Sequence, residues 1–397
     1  MPRHQIATHV VYAAMLLLLG STSSWAQADP PDSPRALLKA IGTPLGSAQG
    51  MTALASLATL EVSTAPLGTS TGGFTFTFDP LLRIWKRSAS SFGPAFAERS
   101  LTTGKAKVSA GFNWLHARYT SFDDQNLRDG SFRPATNVHG FAPLPAVSYS
   151  SLTLNLSTDT LVMYGHVGVT DNFDVGVAVP WIRVSLDAQG GLFNSAGTNL
   201  AASSIPASIT SGIGDVAIFG KYRVLRQESG GVAAAFEVRL PTGDKSYLRG
   251  LDVTRTLVSA IWSHGGKISP HANIGYEFWS DSVPISASGD VSVKNQLKFA
   301  AGVELEVHPR ATVVVDLVGR QLYHGGRVGY QTFLGDGGSS IDALVAFSQG
   351  IHQISLAPGI KWNAWRSVLV TGNVLTSLSN PGLVAKVVPV VGIDWAF

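Results

Sequence analysis

The chain has 397 residues, no cysteine, only 14% charged residues and, beyond its first thirty positions, no long apolar run. Each absence removes a class of protein. Without cysteine there is no disulfide framework, no thiolate nucleophile and no thiolate metal site. Without a run of about 18 apolar residues no helix spans a bilayer. The charged fraction lies well below the roughly 25% of soluble domains. Basic and acidic residues number 29 and 26, which leaves no excess for a nucleic-acid partner.

What is present begins with an export signal. Arg3 and His4 form a short basic region, Val10 to Gly20 an apolar one, and Ala26-Gln27-Ala28 a cleavage pattern. Residues 1–28 therefore read as a signal peptide, with the mature chain starting at Asp29 and carrying a net charge near +2 once Arg3 is lost. Glycine is abundant at 42 residues and proline reaches 20, as in many exported β-proteins.

From Lys105 onward, apolar residues alternate with small or polar ones at period two, the mark of strands with two different faces. Val108, Ala110, Phe112 and Trp114 oppose Lys107, Ser109, Gly111 and Asn113; Val313, Val315 and Leu317 oppose Asp316 and Arg320. Short connections fall at 170–172, 226–231, 264–266, 308–310 and 363–366. Between them lie long polar stretches at 120–147, 187–211, 243–252, 281–293, 324–350 and 378–382. Short turns at one end and long loops at the other predict a transmembrane barrel; a soluble sandwich has no such bias. Segment 339–347 also alternates, but even parity assigns it to the outer loop and leaves twelve strands. A hairpin around 74–80 would make fourteen, with arms too short to span. The fold class expected is all-β: an antiparallel barrel of about twelve strands, 12 or 14, in the outer membrane of a diderm bacterium, surrounded by its lipid, with both chain ends in the periplasm.

The end of the chain fits this reading. Ile393, Trp395 and Phe397 alternate up to the last residue, where an apolar face is tolerable only against lipid. They are the expected assembly signal for the barrel assembly machinery. Trp262, Trp362 and Trp395 fall at the short-turn ends of strands, and Trp279, Tyr119 and Tyr323 at the long-loop ends, which predicts two aromatic girdles. The domain division expected is an extension at 29–104 and a barrel at 105–397. Within the extension, Asp32-Ser33-Pro34 reads as a helix start and 48–60 has helical spacing. It either plugs the lumen or lies in the periplasm.

The stretches "SGIGDVAIFGKYRVL" (211–225), "AAAFEVRLPTGD" (233–244), "TDTLVMYGHVGVTDNFDVGVAVPWI" (158–182) and "VVPVVGIDWAF" (387–397) resemble the family named for the meta-pathway of phenol degradation, a group of outer-membrane transporters. The likeness covers most of 105–397. It implies passage of small hydrophobic or aromatic solutes; these motifs are structural and fix no substrate.

Alternation places Lys107, Asp215, Lys221, Arg223, Glu237, Arg239, His271, Glu277, Lys298, Glu304, Asp316, Arg320 and Lys386 on the inward face. Such residues either set a field that selects solutes or form paired ladders in a polar lumen. A barrel hydrolase would need a nucleophile beside a histidine base, and no such spacing stands out. No metal or cofactor site is expected. A scaffold that displays loops without transport is the other alternative, decided by whether 29–104 is a displaceable plug or a fixed filling. The face assignment predicts that Val315→Arg depresses membrane insertion far more than Asp316→Arg; equal effects would mean that inside and outside are exchanged.

Overall fold

The computed structural model describes residues 28–66, 68, 73–79, 84–137, 148–227, 230–334 and 338–397, so the signal-peptide stretch 1–27 lies outside the described residues. Twelve strands close into one antiparallel ring. In chain order they are β1 (Val108–Tyr119), β2 (Ser148–Gly168), β3 (Phe173–Asn194), β4 (Ala217–Gln227), β5 (Gly230–Arg239) and β6 (Arg255–His264). The second half is β7 (Ile268–Trp279), β8 (Gln296–His308), β9 (Ala311–Leu322), β10 (Ile351–Trp365), β11 (Val368–Ser377) and β12 (Val387–Ala396). The ring shuts where β12 pairs with β1, from Val390↔Leu115 to Ala396↔Ser109. The last strand therefore has a backbone partner on both edges, and Phe112 and Trp395 pack 6.0 Å apart across the seam.

The expected count of twelve is the one observed. Segment 340–347 pairs with 327–334 in a hairpin at the long-loop end, outside the ring. The pair Phe76–Asp79 and Ile84–Arg87 forms its own small sheet. Loop 187–211 is more ordered than its polar composition suggested. β3 runs on to Asn194 and Asn199–Ile213 pairs back along it, making an arm above the membrane. One face of that arm carries Ile182, Val184, Leu186 and Ala188, all buried. These small steps of alternation hold a strand in water because helices cover them.

Outward positions form an apolar belt around the ring: Met163, Val177, Phe236, Val258, Ile274, Val303, Val315 and Val391 are all exposed. Among the described residues no helix is long and apolar enough to cross a membrane; the strands do so. The belt and the ring together make an outer-membrane barrel. The short-turn rim holds Trp262, Trp362 and Phe397, all exposed. The long-loop rim differs from expectation. Tyr119 and Trp279 are each 3% exposed, since their odd positions on β1 and β7 point inward, where they pack on the amino-terminal helices. Trp114 and Trp181 face outward instead.

The two ends of the barrel, Val108 and Phe397, meet at the short-turn end, while the extension begins at the long-loop end. Helix α1 (Pro34–Ala40) is started by Ser33, whose hydroxyl accepts from the Ala36 N–H at 3.3 Å, with Pro34 at the first helical position. Helix α2 (Ala48–Thr64) has thirteen buried residues, far more than one amphipathic stripe, because barrel loops surround it. At Gly50 a Cβ would stand 2.6 Å from Leu344, so the outer hairpin sits directly on the helix. Asp29 binds Lys39 at 2.6 Å, Arg35 at 3.2 Å and Ser246 of the β5–β6 loop at 3.0 Å. Burial pushes the Asp29 carboxyl up, but Lys39, Arg35 and Ser246 outweigh it and hold it below the ordinary aspartate value. Such a group stabilises the fold above its unfolded pKa and loses that contribution as pH falls through the folded one.

After α2 the chain passes to the short-turn end, where Phe74 packs on Phe92 and Leu369. It turns through the small sheet, returns into the lumen at 91–103, and enters β1 past Gly104. A Cβ on Gly168 would lie 1.9 Å from the Gly104 carbonyl, so the entry needs glycine there. The extension is thus threaded through the ring that follows it. Two single-cysteine variants check this in a chain that has no other thiol: Asp32→Cys should react with an impermeant maleimide added to intact cells, and Arg366→Cys should not.

Candidate functional site

The alternation of β4 to β9 sends a row of charged side chains into the lumen, and segment 91–103 is laid against them. Asp316 on β9 is the centre. Its Oδ2 accepts from the backbone N–H groups of Ala95 and Phe96 at 2.8 Å each and of Ala97 at 3.3 Å. Its Oδ1 meets His271 Nε2 at 2.7 Å. Glu304 on β8 accepts from Gly93 N–H at 3.1 Å and from Arg99 Nε at 2.9 Å, with a second contact to Arg99 Nη2. Asn273 pairs with both backbone groups of Glu98, at 2.7 and 3.0 Å. Lys221 donates to the Arg99 carbonyl at 3.0 Å. Lower down, Asp174 accepts from the Thr103 N–H at 2.8 Å, and His166 meets the Thr103 hydroxyl at 2.7 Å. A backbone buried in the lumen must have its groups paired, and the wall supplies the partners.

A second network lies toward the long-loop end. Arg255 is fully buried, 3.0 Å from Asp215 and 3.0 Å from the Ser63 carbonyl that ends α2. Glu277 collects Lys298, Gln296 and the Trp279 indole. Arg239 binds Glu237 at 2.5 Å. Arg320 reaches Glu61 and Thr64 of α2, and Gln353 also reaches Glu61, at 3.3 Å.

Eleven of the thirteen residues expected to line the lumen point inward: Asp215, Lys221, Arg223, Glu237, Arg239, His271, Glu277, Lys298, Glu304, Asp316 and Arg320. Arg223 bends away to the carbonyls of Gln227 and Gly230 at the short-turn mouth. Lys107 precedes β1 at the same mouth, its ammonium 5.2 Å from the Phe76 ring centre. Lys386 is a correction. It precedes β12, where alternation no longer governs, and lies exposed on the outer rim beside Arg118. Ile393, Trp395 and Phe397 face outward on the closing strand, with Phe397 69% exposed. Arg255, Asn273 and Gln353 went unnoticed in the sequence. For Arg255 the signal was there, since exposed Val258 and Trp262 fix the odd positions of β6 as inward.

The eleven all lie from Asp215 to Arg320, on one half of the ring and its edge. The other half carries an apolar cluster, in which Leu115, Val162, Ala357, Leu375, Val388 and Val390 join Phe219 and Phe96 of the threaded segment packs on them, beside buried polar side chains such as His166, Asp174, Lys361 and Asp394. The lumen wall is therefore uneven in polarity. Between the two halves remains a cavity of about 300 Å³. Its roof is the end of α2 at Ser63 to Pro66, and its floor is Phe96 and Glu98. Leu375 and Val388 line one side, Glu237 and Lys298 the other.

A family model described as "Putative MetA-pathway of phenol degradation" matches residues 122–322, just over half of the chain. No curated protein matches the sequence. Among solved structures, an outer membrane channel from Pseudomonas putida F1 is similar with a TM-score of 0.48 at 10% identity, over 75% of this chain and 98% of that one. A Pseudomonas aeruginosa FadL homologue gives 0.33 at 12%, over 84% and 97%. The Ralstonia pickettii toluene transporter TbuX gives 0.29 at 10%, over 85% and 98%. At these scores the likenesses add nothing to what the closed ring already displays.

Asp316→Ala strands three backbone donors and one imidazole, a loss of about 3–5 kcal/mol in the seating of 91–103. The variant should expose this segment to protease added from the short-turn side while the ring stays resistant to unfolding in detergent. This result bears on the insertion test as well: Asp316→Arg carries its own cost in the lumen, so its comparison with Val315→Arg must read insertion and plug seating separately.

Proposed function

Because this chain belongs to the family of the MetA pathway of phenol degradation, we propose that it is an outer-membrane channel for small, sparingly charged solutes, aromatic ones included, closed by its own amino-terminal segment. One observation carries the reading. The 300 Å³ cavity has an apolar side that suits a ring and a charged side that suits a hydroxyl, and Phe96 and Glu98 of the threaded segment close it toward the short-turn mouth. Binding sites of this mixed character are typical for small organic ligands. The inward residues from Asp215 to Arg320 act here in two ways: those near 91–103 hold the closure, and Glu237, Arg239, Lys298 and Arg320 give the cavity its polarity.

The role is transport without catalysis. His271 has both ring nitrogens toward carboxylates, Asp316 at 2.7 Å and Glu304 at 3.6 Å, which suits a structural clamp. Outer-membrane lipid surrounds the belt, and Ile393, Trp395 and Phe397 serve the barrel assembly machinery as the signal on the closing strand. Dense polar contacts along 91–103 also favour a second reading, a fixed filling in a barrel that displays its loops.

Conductance in planar bilayers separates the two. The full chain should open rarely, and the chain lacking 29–104, or carrying Asp316→Ala, should show discrete and frequent openings. Liposomes holding the opened forms should admit phenol-sized solutes faster than charged ones. Silence from all forms, each with a folded barrel, would establish the scaffold reading.

A further inference from the structure

The outward face of the wall records where hydrocarbon ends. Across β1, β2 and β3 one row reads Trp114, Leu161, Trp181, and the next outward-facing row toward the long loops reads His116, Asp159, Arg183. The Trp114 and His116 rings stack at 6.1 Å, and His116 pairs with Asp159 at 2.9 Å. An aromatic row followed by a charged row marks the boundary between acyl chains and headgroups. Arg118 is the next outward residue on β1.

At that level lies a hollow on the lipid side of the wall. Arg118, Arg128 and Lys386 line it, all exposed, and their side chains have no hydrogen bond or ion pair among the described residues. Thr120 and Ser121 form its inner wall, with both hydroxyls buried. Asp124 is the one carboxylate on its lining. The hollow is built from paired backbone: Ser121–Phe122 pairs with Leu383–Val384, and Thr120 N–H donates to the Val384 carbonyl at 3.0 Å. Asp123 fixes the turn by accepting from Gly382 and Val328 N–H at 2.7 and 2.9 Å. This pairing is what sets Lys386 beside Arg118.

Three unpaired cations in one place call for an anion with several oxygens, and the depth calls for one carried on a lipid. We propose that this hollow binds the phosphate group of an outer-leaflet lipid. The acyl chains lie along the belt below, past Val387 and Trp114, and the phosphate reaches up to Arg118 and Lys386. A soluble phosphate would share the headgroup contacts and lack the chains.

The test titrates the full chain in neutral detergent with bis-phosphorylated lipid A, and counts bound lipid by native mass spectrometry. One lipid should stay bound to the parent. Arg118→Gln with Lys386→Gln should weaken it roughly thirtyfold, and Arg128→Gln by about fivefold. Dephosphorylated lipid A should bind parent and variants equally weakly, and millimolar inorganic phosphate should not displace lipid A. Retained resistance to unfolding in SDS shows that the variants are folded. Unchanged affinity in both variants overturns the proposal, as does equal binding of the dephosphorylated lipid. Inorganic phosphate that competes at the lipid's own concentration would reassign the hollow to a free anion and overturn it as well.

Discussion

Hydrocarbon offers no partner to a peptide group, so every N–H and C=O between the two rims must be satisfied within the wall. The meeting of β12 with β1 meets that demand, because it removes the two edges that an open sheet would leave in lipid. Closure has a second effect. Once the ring exists, period two alone decides which side chains meet lipid and which meet the lumen. Val315 and Asp316 are neighbours in sequence and stand in opposite environments, one in the exposed belt and the other fully buried.

What the inward residues meet is their own chain. A carboxylate such as Asp316 or Glu304 in a narrow lumen has lost most of its water, and its partners must come from protein. The segment 91–103 supplies them with backbone N–H groups and Arg99. Wall and filling are therefore complementary: each would leave buried polar groups unpaired without the other. At the apolar cluster the logic changes, and Phe96 meets Leu375 and Val388 by simple exclusion of water.

Much of this was legible in the sequence, because a barrel strand writes its environment at every second residue. The strands, their number, the family and the inward parity of ten charged residues and His271 were all readable. Three things were not. Tyr119 and Trp279 looked like girdle residues, since position along a strand was read before face. Lys386 looked inward because alternation was extended past the end of its strand. The route of 29–104 was hidden because a filling is recognised by its partners, such as Asp316 for Ala95–Ala97, and those lie more than two hundred residues away. The apolar cluster that gathers on one side of the lumen is likewise a property of the closed circle and of no single strand.

The threading of the extension has a mechanical consequence. Two packed helices, each about 10 Å across with side chains, stand on the long-loop side, while the chain that tethers them enters the wall from the short-turn side. They form a knob on a cord that runs through its own collar. Tension from the periplasm would pull that knob tighter into the collar, so it cannot be withdrawn as a folded body. Either the helices form after their stretch has passed through, or the seam zips last around a cord already in place. Any opening in the finished molecule is then a local shift of the cord within the collar, never the removal of a cork.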